Sequence, residues 1–227
     1  MRRFADITGS SPVTTVNQRT AFYNWLYKFP ANNGTPLRTA AQKAGALYST
    51  TGNNSPYGVD PNQTTTVTGT EYACRPNFHI MMTDGLWNDS TGNFCGSSRC
   101  NNADGTGGLL TAGKLPDNTT YDTTSSLTRI YRDSSSDTLA DVAFYYWSTD
   151  LRPDLQNKLI PYYADRTGTL AQQYWNPKND PATWQHVVMF TVGLGLSQTL
   201  GGSNRWPDYF GLLPKRKRSM PTAICGL

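Results

Sequence analysis

The stretch "CRPNFHIMMTDGLWNDS", residues 74–90, sets a short apolar run directly before Thr-Asp-Gly. The run from Phe78 to Thr83 is nearly continuous and is bounded by turn residues, which is typical of a strand covered on both faces. A second run of this kind, "VVMFTVGLGL", begins at Val187. We therefore predict two buried strands. Asp84 ends the first strand, either to turn the chain or to hold a ligand.

Helical periodicity marks three further segments, whose apolar residues recur with the spacing of one helix face. These residues are Phe22, Trp25, Leu26 and Phe29 in the first segment, Leu37, Ala40, Ala41 and Ala44 in the second, and Leu139, Val142, Ala143 and Tyr146 in the third. Thr35 is placed to cap the second helix, with Pro36 at its first helical position. Buried strands alternating with helices predict an α/β fold, a sheet with helices on each side.

Charge and hydropathy exclude several classes of protein. The formal net charge is +4 in a chain of 227 residues, and the run Lys215-Arg216-Lys217-Arg218 accounts for all of it. The neutral remainder offers no phosphate-binding surface, so no nucleic-acid partner is expected. No apolar run reaches the roughly 18 residues that a membrane span needs, and the first residues lack the apolar stretch of a signal peptide.

Two loop-rich insertions, about residues 49–73 and 88–136, are dense in Asn, Thr, Gly, Ser and Asp. Loops of that length in a compact domain indicate local order or a function of their own. The four cysteines are spaced too unevenly for a zinc site. Cys95 and Cys100 close a short Gly/Ser loop, and we predict that they form a disulfide, which would favour an oxidising compartment. The alternative is two free thiols.

The candidate site lies at the carboxyl end of the first strand, where ligands gather in open α/β sheets. A carboxylate from Asp84 and a hydroxyl from Thr35 would suit a hard cation such as Mg²⁺, Mn²⁺ or Ca²⁺. The alternative is purely structural. In that case Thr35 only caps its helix, and Asp84-Gly85 only turns the chain.

Signals for catalysis are weak. The chain has no Gly-x-Ser-x-Gly elbow, Walker loop, HExxH or CxxC pair. His79 lies within the first strand and is expected to be a core or interface imidazole. His186 is expected to have a structural role beside Trp184. A hydrolase that uses Asp84 and His186 as an acid/base pair is kept as an alternative, and it requires both groups to reach one substrate atom.

Four motifs, taken in order, resemble the von Willebrand A-like region of the PilY1/PilC family. They are "NNGTPLRTA" at 32–40, "CRPNFHIMMTDGLWND" at 74–89, "ADVAFYYWSTDLRPDLQN" at 140–157 and "DPATWQHVVMFTVGLG" at 180–195. The resemblance covers about residues 17–205. It implies a three-layer, Rossmann-type domain with a metal-ion-dependent adhesion site, in which Thr35 and Asp84 match two of the family's ligands.

The same resemblance implies a non-enzymatic protein of bacterial type IV pili, exported to the pilus tip, outer membrane or cell surface of a Gram-negative bacterium. Family members promote pilus assembly, oppose retraction and, in some bacteria, mediate adhesion. The implied partners are minor pilins of the tip complex and a host-surface receptor. The implied cofactor is a divalent cation, Mg²⁺ or Ca²⁺.

The chain departs from the family pattern at both ends. The Asp-x-Ser-x-Ser loop that supplies further metal ligands is not found: Asp6-Ile-Thr-Gly-Ser10 lies too near the first residue, and Asp133-Ser-Ser-Ser-Asp137 lies downstream of Asp84. We therefore expect weak metal binding and a partial A-like domain over 1–212, incomplete at its N-terminal side. Residues 213–227 read as an atypical basic tail, and a reading-frame change or gene fragment is the hypothesis that accounts for both departures.

Overall fold

The computed structural model describes residues 18–28, 34–52, 55–58, 71–83, 87–89, 92–105 and 113–193. Within these ranges the helices are α1 Gln18–Lys28, α2 Leu37–Leu47, α3 Leu139–Ser148 and α4 Leu170–Tyr174, with a 3₁₀ turn at Arg129–Tyr131. The strands are β1 Asn77–Thr83, β2 Tyr162–Tyr163, β3 Asn179–Asp180 and β4 Val187–Gly193. The described fold is therefore mixed α/β, as predicted.

The two strands predicted from apolar runs are β1 and β4, and they pair with each other. They run parallel, in a register that begins with Asn77 opposite Val187 and ends with Thr83 opposite Gly193. Parallel strands need a long crossover connection, and here that connection contains α3. The short strands β2 and β3 form a separate antiparallel pair. The prediction of adjacent parallel strands is confirmed.

One face of the β1–β4 sheet is packed against the core. Met81 and Val187 are buried on this face, and α3 packs across β4. Behind α3 lies α2, whose Gly45 faces the ring of Tyr146. A Cβ atom at position 45 would lie 2.5 Å from that ring, so only glycine allows this close approach of the two helices.

The opposite face of the sheet is exposed, which corrects the prediction of strands covered on both faces. Its side chains are Phe78, Ile80, Met82, Phe190 and Val192, with exposed fractions from 41% to 67%. Side chains alternate between the two faces of a strand, so a continuous apolar run places half of its residues on a face that α2 and α3 do not reach.

The helix that contains Phe22 was also expected to pack on the strands. In the structure the predicted apolar positions of α1 are exposed: Phe22 at 43%, Trp25 at 57% and Leu26 at 45%. Phe29 lies outside the described residues. The pattern correctly predicted a helix, but the expected burial of its apolar side is not observed. A three-layer, Rossmann-type domain that is incomplete at its N-terminal side remains a prediction.

Helix starts differ from the prediction at α2 and show a clear cap at α3. Helix α2 begins at Leu37, with Pro36 in the capping position and no side-chain cap, so the assignment of Thr35 as N-cap is wrong. Thr138 caps α3. Its hydroxyl accepts a hydrogen bond from the Asp141 backbone at 3.1 Å, and the Asp141 carboxylate accepts one from the Thr138 backbone at 2.8 Å. This reciprocal pair is a capping box.

The second insertion contains local order where it is described. Cys95 and Cys100 form the disulfide that was one of the two alternatives for this pair. The carboxylate of Asp137 accepts hydrogen bonds from the Arg99 guanidinium and from the backbone of Asn101. These contacts join the segment that holds the disulfide to the residue just before the cap of α3. Residues 194–227, which include the basic tail, lie outside the described residues.

Candidate functional site

The loop before α2 is tied to the segment that follows β1. The Thr35 backbone N–H donates to Asn88 Oδ1 at 2.6 Å, and the Asn88 N–H donates to the Thr35 carbonyl at 3.1 Å. Thr35 therefore lies beside the segment that continues from the carboxyl end of β1. Asp84 itself lies outside the described residues, so its position relative to Thr35 stays a prediction.

Asp89 is a carboxylate that anchors the segment after β1 to α2. Its side chain is 4% exposed and accepts from Arg38 Nε and from the Thr39 backbone, each at 2.9 Å. Burial alone would raise the pKa of Asp89, but the hydrogen bonds from Thr39 and Arg38 outweigh it and lower this pKa below its usual value. Asp89 is therefore an ionised structural anchor.

Arg38 joins three separate parts of the chain. Besides the Asp89 carboxylate, its guanidinium donates to the Asp89 carbonyl at 2.8 Å and to the Asp137 carbonyl at 2.9 Å. The same group lies over the ring of Phe94, 4.6 Å from its centroid, in a cation–π contact. The guanidinium thus connects α2, the segment after β1 and the loop before α3.

Sequence reasoning singled out neither Arg38 nor Asp89. Both lie inside the quoted motifs, as the Arg of "GTPLR" and the last Asp of "TDGLWND". The available signal was an arginine early in a helix that carries few other charges, and an acidic residue soon after a buried strand. Such residues are almost never buried unless paired, but the sequence does not identify the partner.

The described residues do not by themselves fit a hard-cation site. Within them, no cluster of three or more His, Cys, Asp or Glu side chains is placed to hold a metal ion. The Asp89 carboxylate is engaged by Arg38 and Thr39, and the Asp137 carboxylate by Arg99. Asp133 is exposed and accepts from the Ser135 backbone at 2.6 Å, which is an Asx turn. Asp6, like Asp84, lies outside the described residues.

His186 has the structural role that was expected. Its Nδ1 lies 2.8 Å from the Trp184 carbonyl and its Nε2 lies 3.0 Å from Asp180 Oδ2, and the residue is buried. Burial raises the pKa of Asp180, but the hydrogen bond with His186 outweighs it and lowers this pKa. The Trp184 indole donates to the Trp147 carbonyl at 2.8 Å, which joins the start of β4 to the end of α3.

His186 and the carboxyl end of β1 lie at opposite ends of the sheet. His186 directly precedes Val187, which pairs with Asn77, whereas Thr83 pairs with Gly193 at the other end. Seven residues of extended strand span about 20 Å. Because Asp84 follows Thr83 directly in the chain, this geometry disfavours an acid/base pair made by Asp84 and His186.

A second buried charge cluster lies at the amino end of the sheet. Arg152 is 1% exposed and donates to both carboxylate oxygens of Glu71, at 2.8 and 2.6 Å, and also to Asp154. The hydrogen bond from Arg152 lowers the pKa of Glu71. The cluster fixes the segment before β1 against the loop after α3. The carboxylates of Glu71 and Asp154 both accept hydrogen bonds from Arg152, so the cluster has a structural role.

Comparison with known proteins finds close relatives among curated sequences. The chain is 48% identical over 194 residues to the type IV pilus biogenesis factor PilY1 of Pseudomonas aeruginosa strain PAO1. It is 46% identical over 194 residues to PilY1 of strain PAK, and 44% identical over 179 residues to PilY1 of strain UCBPP-PA14. The first two matches cover 85% of this chain and 15% of each relative, and the third covers 79% and 13%. No family model and no solved structure matches.

These relatives belong to one class of protein, the type IV pilus biogenesis factors. The chain belongs to the PilY1 family. It spans about 15% of the length of the relatives it matches over 194 residues. In the part of the chain that the structure describes, no helix is both long and apolar enough to cross a membrane.

Proposed function

We propose that the chain is a non-enzymatic module for type IV pilus assembly and adhesion, exported to the pilus tip or cell surface. The observation that carries this proposal is the 48% identity to a pilus biogenesis factor over 85% of the chain. Its proposed partners are minor pilins of the tip complex, with a host-surface receptor for the adhesive role. The Cys95–Cys100 disulfide supports export, because disulfides persist in oxidising compartments.

The exposed face of the β1–β4 sheet supports an assembly role. The rings of Phe78 and Phe190 lie 6.2 Å apart on this face, beside the exposed side chains of Ile80 and Met82. Parallel sheets are normally covered on both faces, and a contiguous apolar surface of this kind is stabilised when another protein surface covers it. A tip-complex component that buries Ile80 would supply such a cover.

The described side chains also favour a non-enzymatic protein. His186 is occupied by Trp184 and Asp180, and it lies at the far end of the sheet from Thr83. The carboxylates of Asp89, Asp137 and Glu71 are engaged by arginines, so they are not poised as general bases. The hydrolase alternative therefore has less support than the assembly module.

A chimeric protein tests the proposed function. Residues 18–193 would replace the matching segment of PilY1 in a piliated P. aeruginosa strain that lacks its own copy, and surface pili and twitching motility would be measured. We expect the chimera to restore both. Ile80→Asp should abolish the restoration, because a charge on the exposed face prevents its burial without disturbing the core.

Leu170→Asp is the matched control, since Leu170 in α4 is 83% exposed and lies away from the sheet. It should leave pili and motility intact. A folded chimera that restores neither would refute the proposed function. Equal piliation by the chimera and its Ile80→Asp variant would show that the exposed sheet face is not used in assembly.

A further inference from the structure

A cavity lies between the β1–β4 sheet and α3, and its lining is unusual. Its volume is about 270 Å³, and the sheet contributes His79, Met81, Met189 and Thr191. The opposite wall is the apolar start of α3, formed by Leu139, Ala140 and Ala143. None of the described lining residues carries a carboxylate, so the polarity of this lining comes from an imidazole, a hydroxyl and two thioethers.

Three of these side chains are neighbours on one face of the sheet. His79 and Met189 are register partners on the adjacent strands β1 and β4. Paired strands lie about 4.8 Å apart, so the two side chains start side by side. Met81 follows His79 by one alternation of β1, which places it on the same face about 7 Å further along the strand. Methionine side chains are long and flexible enough to converge from these positions.

One ring nitrogen of His79 makes no hydrogen bond with the described residues. This Nδ1 atom is buried and has no hydrogen-bond partner among the residues that the structure describes, although the residue as a whole is only half-buried. Burial lowers the pKa of His79. A ring nitrogen that makes no hydrogen bond can bind a metal ion through its lone pair.

We propose that His79, Met81 and Met189 form a binding site for Cu(I). Uncharged thioethers are soft ligands that select Cu(I), and imidazole also binds copper, whereas Mg²⁺ and Ca²⁺ require oxygen ligands. The side chains of Leu139, Ala140 and Ala143 line the side of the cavity opposite the sheet and offer no competing ligand. This site lies between the sheet and α3 and includes neither Thr35 nor Asp84, and it is independent of the proposed pilus function.

Competitive titration of the full 227-residue chain tests the proposal. Cu(I) would be supplied without oxygen, with ascorbate as reductant and the bicinchoninate–Cu(I) complex as the coloured competitor. Thiol reductants must be avoided, because they would open the Cys95–Cys100 disulfide and create thiolates that bind copper. We expect the chain to withdraw a single Cu(I) ion from the competitor.

Substitutions of the ligands should weaken this binding selectively. Met81→Leu, Met189→Leu and His79→Leu should each lower the affinity for Cu(I) by at least about tenfold. Removal of a side chain that only hydrogen-bonds to a metal ligand already costs about that much, so removal of a ligand should cost no less. Exchange of methionine for leucine conserves volume, so the two methionine variants should fold, which a thermal unfolding curve would check. Met82→Leu is the matched control, because Met82 lies on the same strand but on the exposed opposite face.

Two results of the titration would overturn the proposal. One is the absence of Cu(I) withdrawal by the intact chain. The other is equal affinity in Met81→Leu, Met189→Leu and Met82→Leu. X-ray absorption at the copper edge of the wild-type complex gives a readout that does not depend on the variants. Sulfur and nitrogen neighbours are expected there, and oxygen neighbours alone would also overturn the proposal.

Discussion

Arg38 and Asp89, separated by 51 positions in the sequence, form a buried ion pair with 2.9 Å between Nε and Oδ1. The side chains are 11% and 4% exposed, so water screens the pair little. The pair holds α2 against the segment that follows β1, and in this way fixes Thr35 beside Asn88 of that segment. The geometry of the candidate site therefore depends on residues outside the predicted ligand set.

Asp89→Asn should destabilise the fold strongly. The variant leaves the Arg38 guanidinium buried without its counter-charge, and breaking a buried pair in this way costs about 3 kcal/mol of unfolding free energy. Urea denaturation would measure the loss. Asp133→Asn is the control, because Asp133 is exposed, and it should change the free energy by less than about 0.5 kcal/mol. Equal losses in the two variants would contradict a structural role for the ion pair.

Asp104 should make the protein less stable as the pH rises from about 4 to 6. Asp104 is 1% exposed, and its burial raises the pKa to about 6 in the folded state. In the unfolded chain the group ionises near its usual value of 3.8. Because the folded pKa is raised, the folded state holds this proton more tightly in that interval, and stability falls as the proton is lost.

Asp104→Asn removes this titration and keeps an oxygen for the Asp133 backbone N–H, which lies 3.3 Å from Asp104 Oδ1. Thermal unfolding at several pH values should show the variant to be more stable than the wild type at pH 7, by about 2 kcal/mol, with a smaller difference at pH 4. A wild type whose stability does not change between pH 4 and 6 would refute the assignment.

Gly45→Ala should destabilise the packing of α2 on α3. In an exposed helix this change stabilises by about 1 kcal/mol, because glycine has the lower helix propensity. Here the new methyl group would lie 2.5 Å from the Tyr146 ring, and such overpacking costs about 1–3 kcal/mol. Equilibrium unfolding should therefore show a net loss.

A double variant separates the steric clash from other effects of Gly45→Ala. Combining it with Tyr146→Leu, which makes room for the methyl group, should cost less than the sum of the two single changes. Strict additivity would show that the clash does not occur. A stabilising effect of Gly45→Ala alone would lead to the same conclusion.

Binding of Mg²⁺ or Ca²⁺ by Thr35 and Asp84 should be weak, with a dissociation constant of about 1 mM or more. A hard cation takes about six oxygen ligands, and the predicted set offers only a carboxylate and a hydroxyl from the chain. Calorimetry on the chain would measure the affinity, with Asp84→Ala and Asp133→Ala as site and control variants. Micromolar binding that Asp84→Ala abolishes would reveal a further ligand, and Asp6 would be the first residue to test.

The sequence by itself determined the main elements and several local features. Continuous apolar runs located β1 and β4, helical periodicity located α1, α2 and α3, and cysteine spacing placed Cys95 near Cys100. These predictions succeeded because each depends on residues close together in the chain, whose spacing already fixes which backbone geometry can bury them. The family resemblance likewise came from short motifs and agrees with the curated relatives.

Only the tertiary structure decided which side chains meet across long separations. The Arg38 guanidinium reaches the Asp137 carbonyl across 99 positions, and His79 lies beside Met189 because two distant strands pair in one register. Burial on one side of the sheet was decided in the same way: α3 covers the face of Met81, while Ile80 on the other face stays exposed. The periodicity of a sequence shows which apolar residues share one face of a helix or strand. Which other element covers that face depends on how the elements pack together.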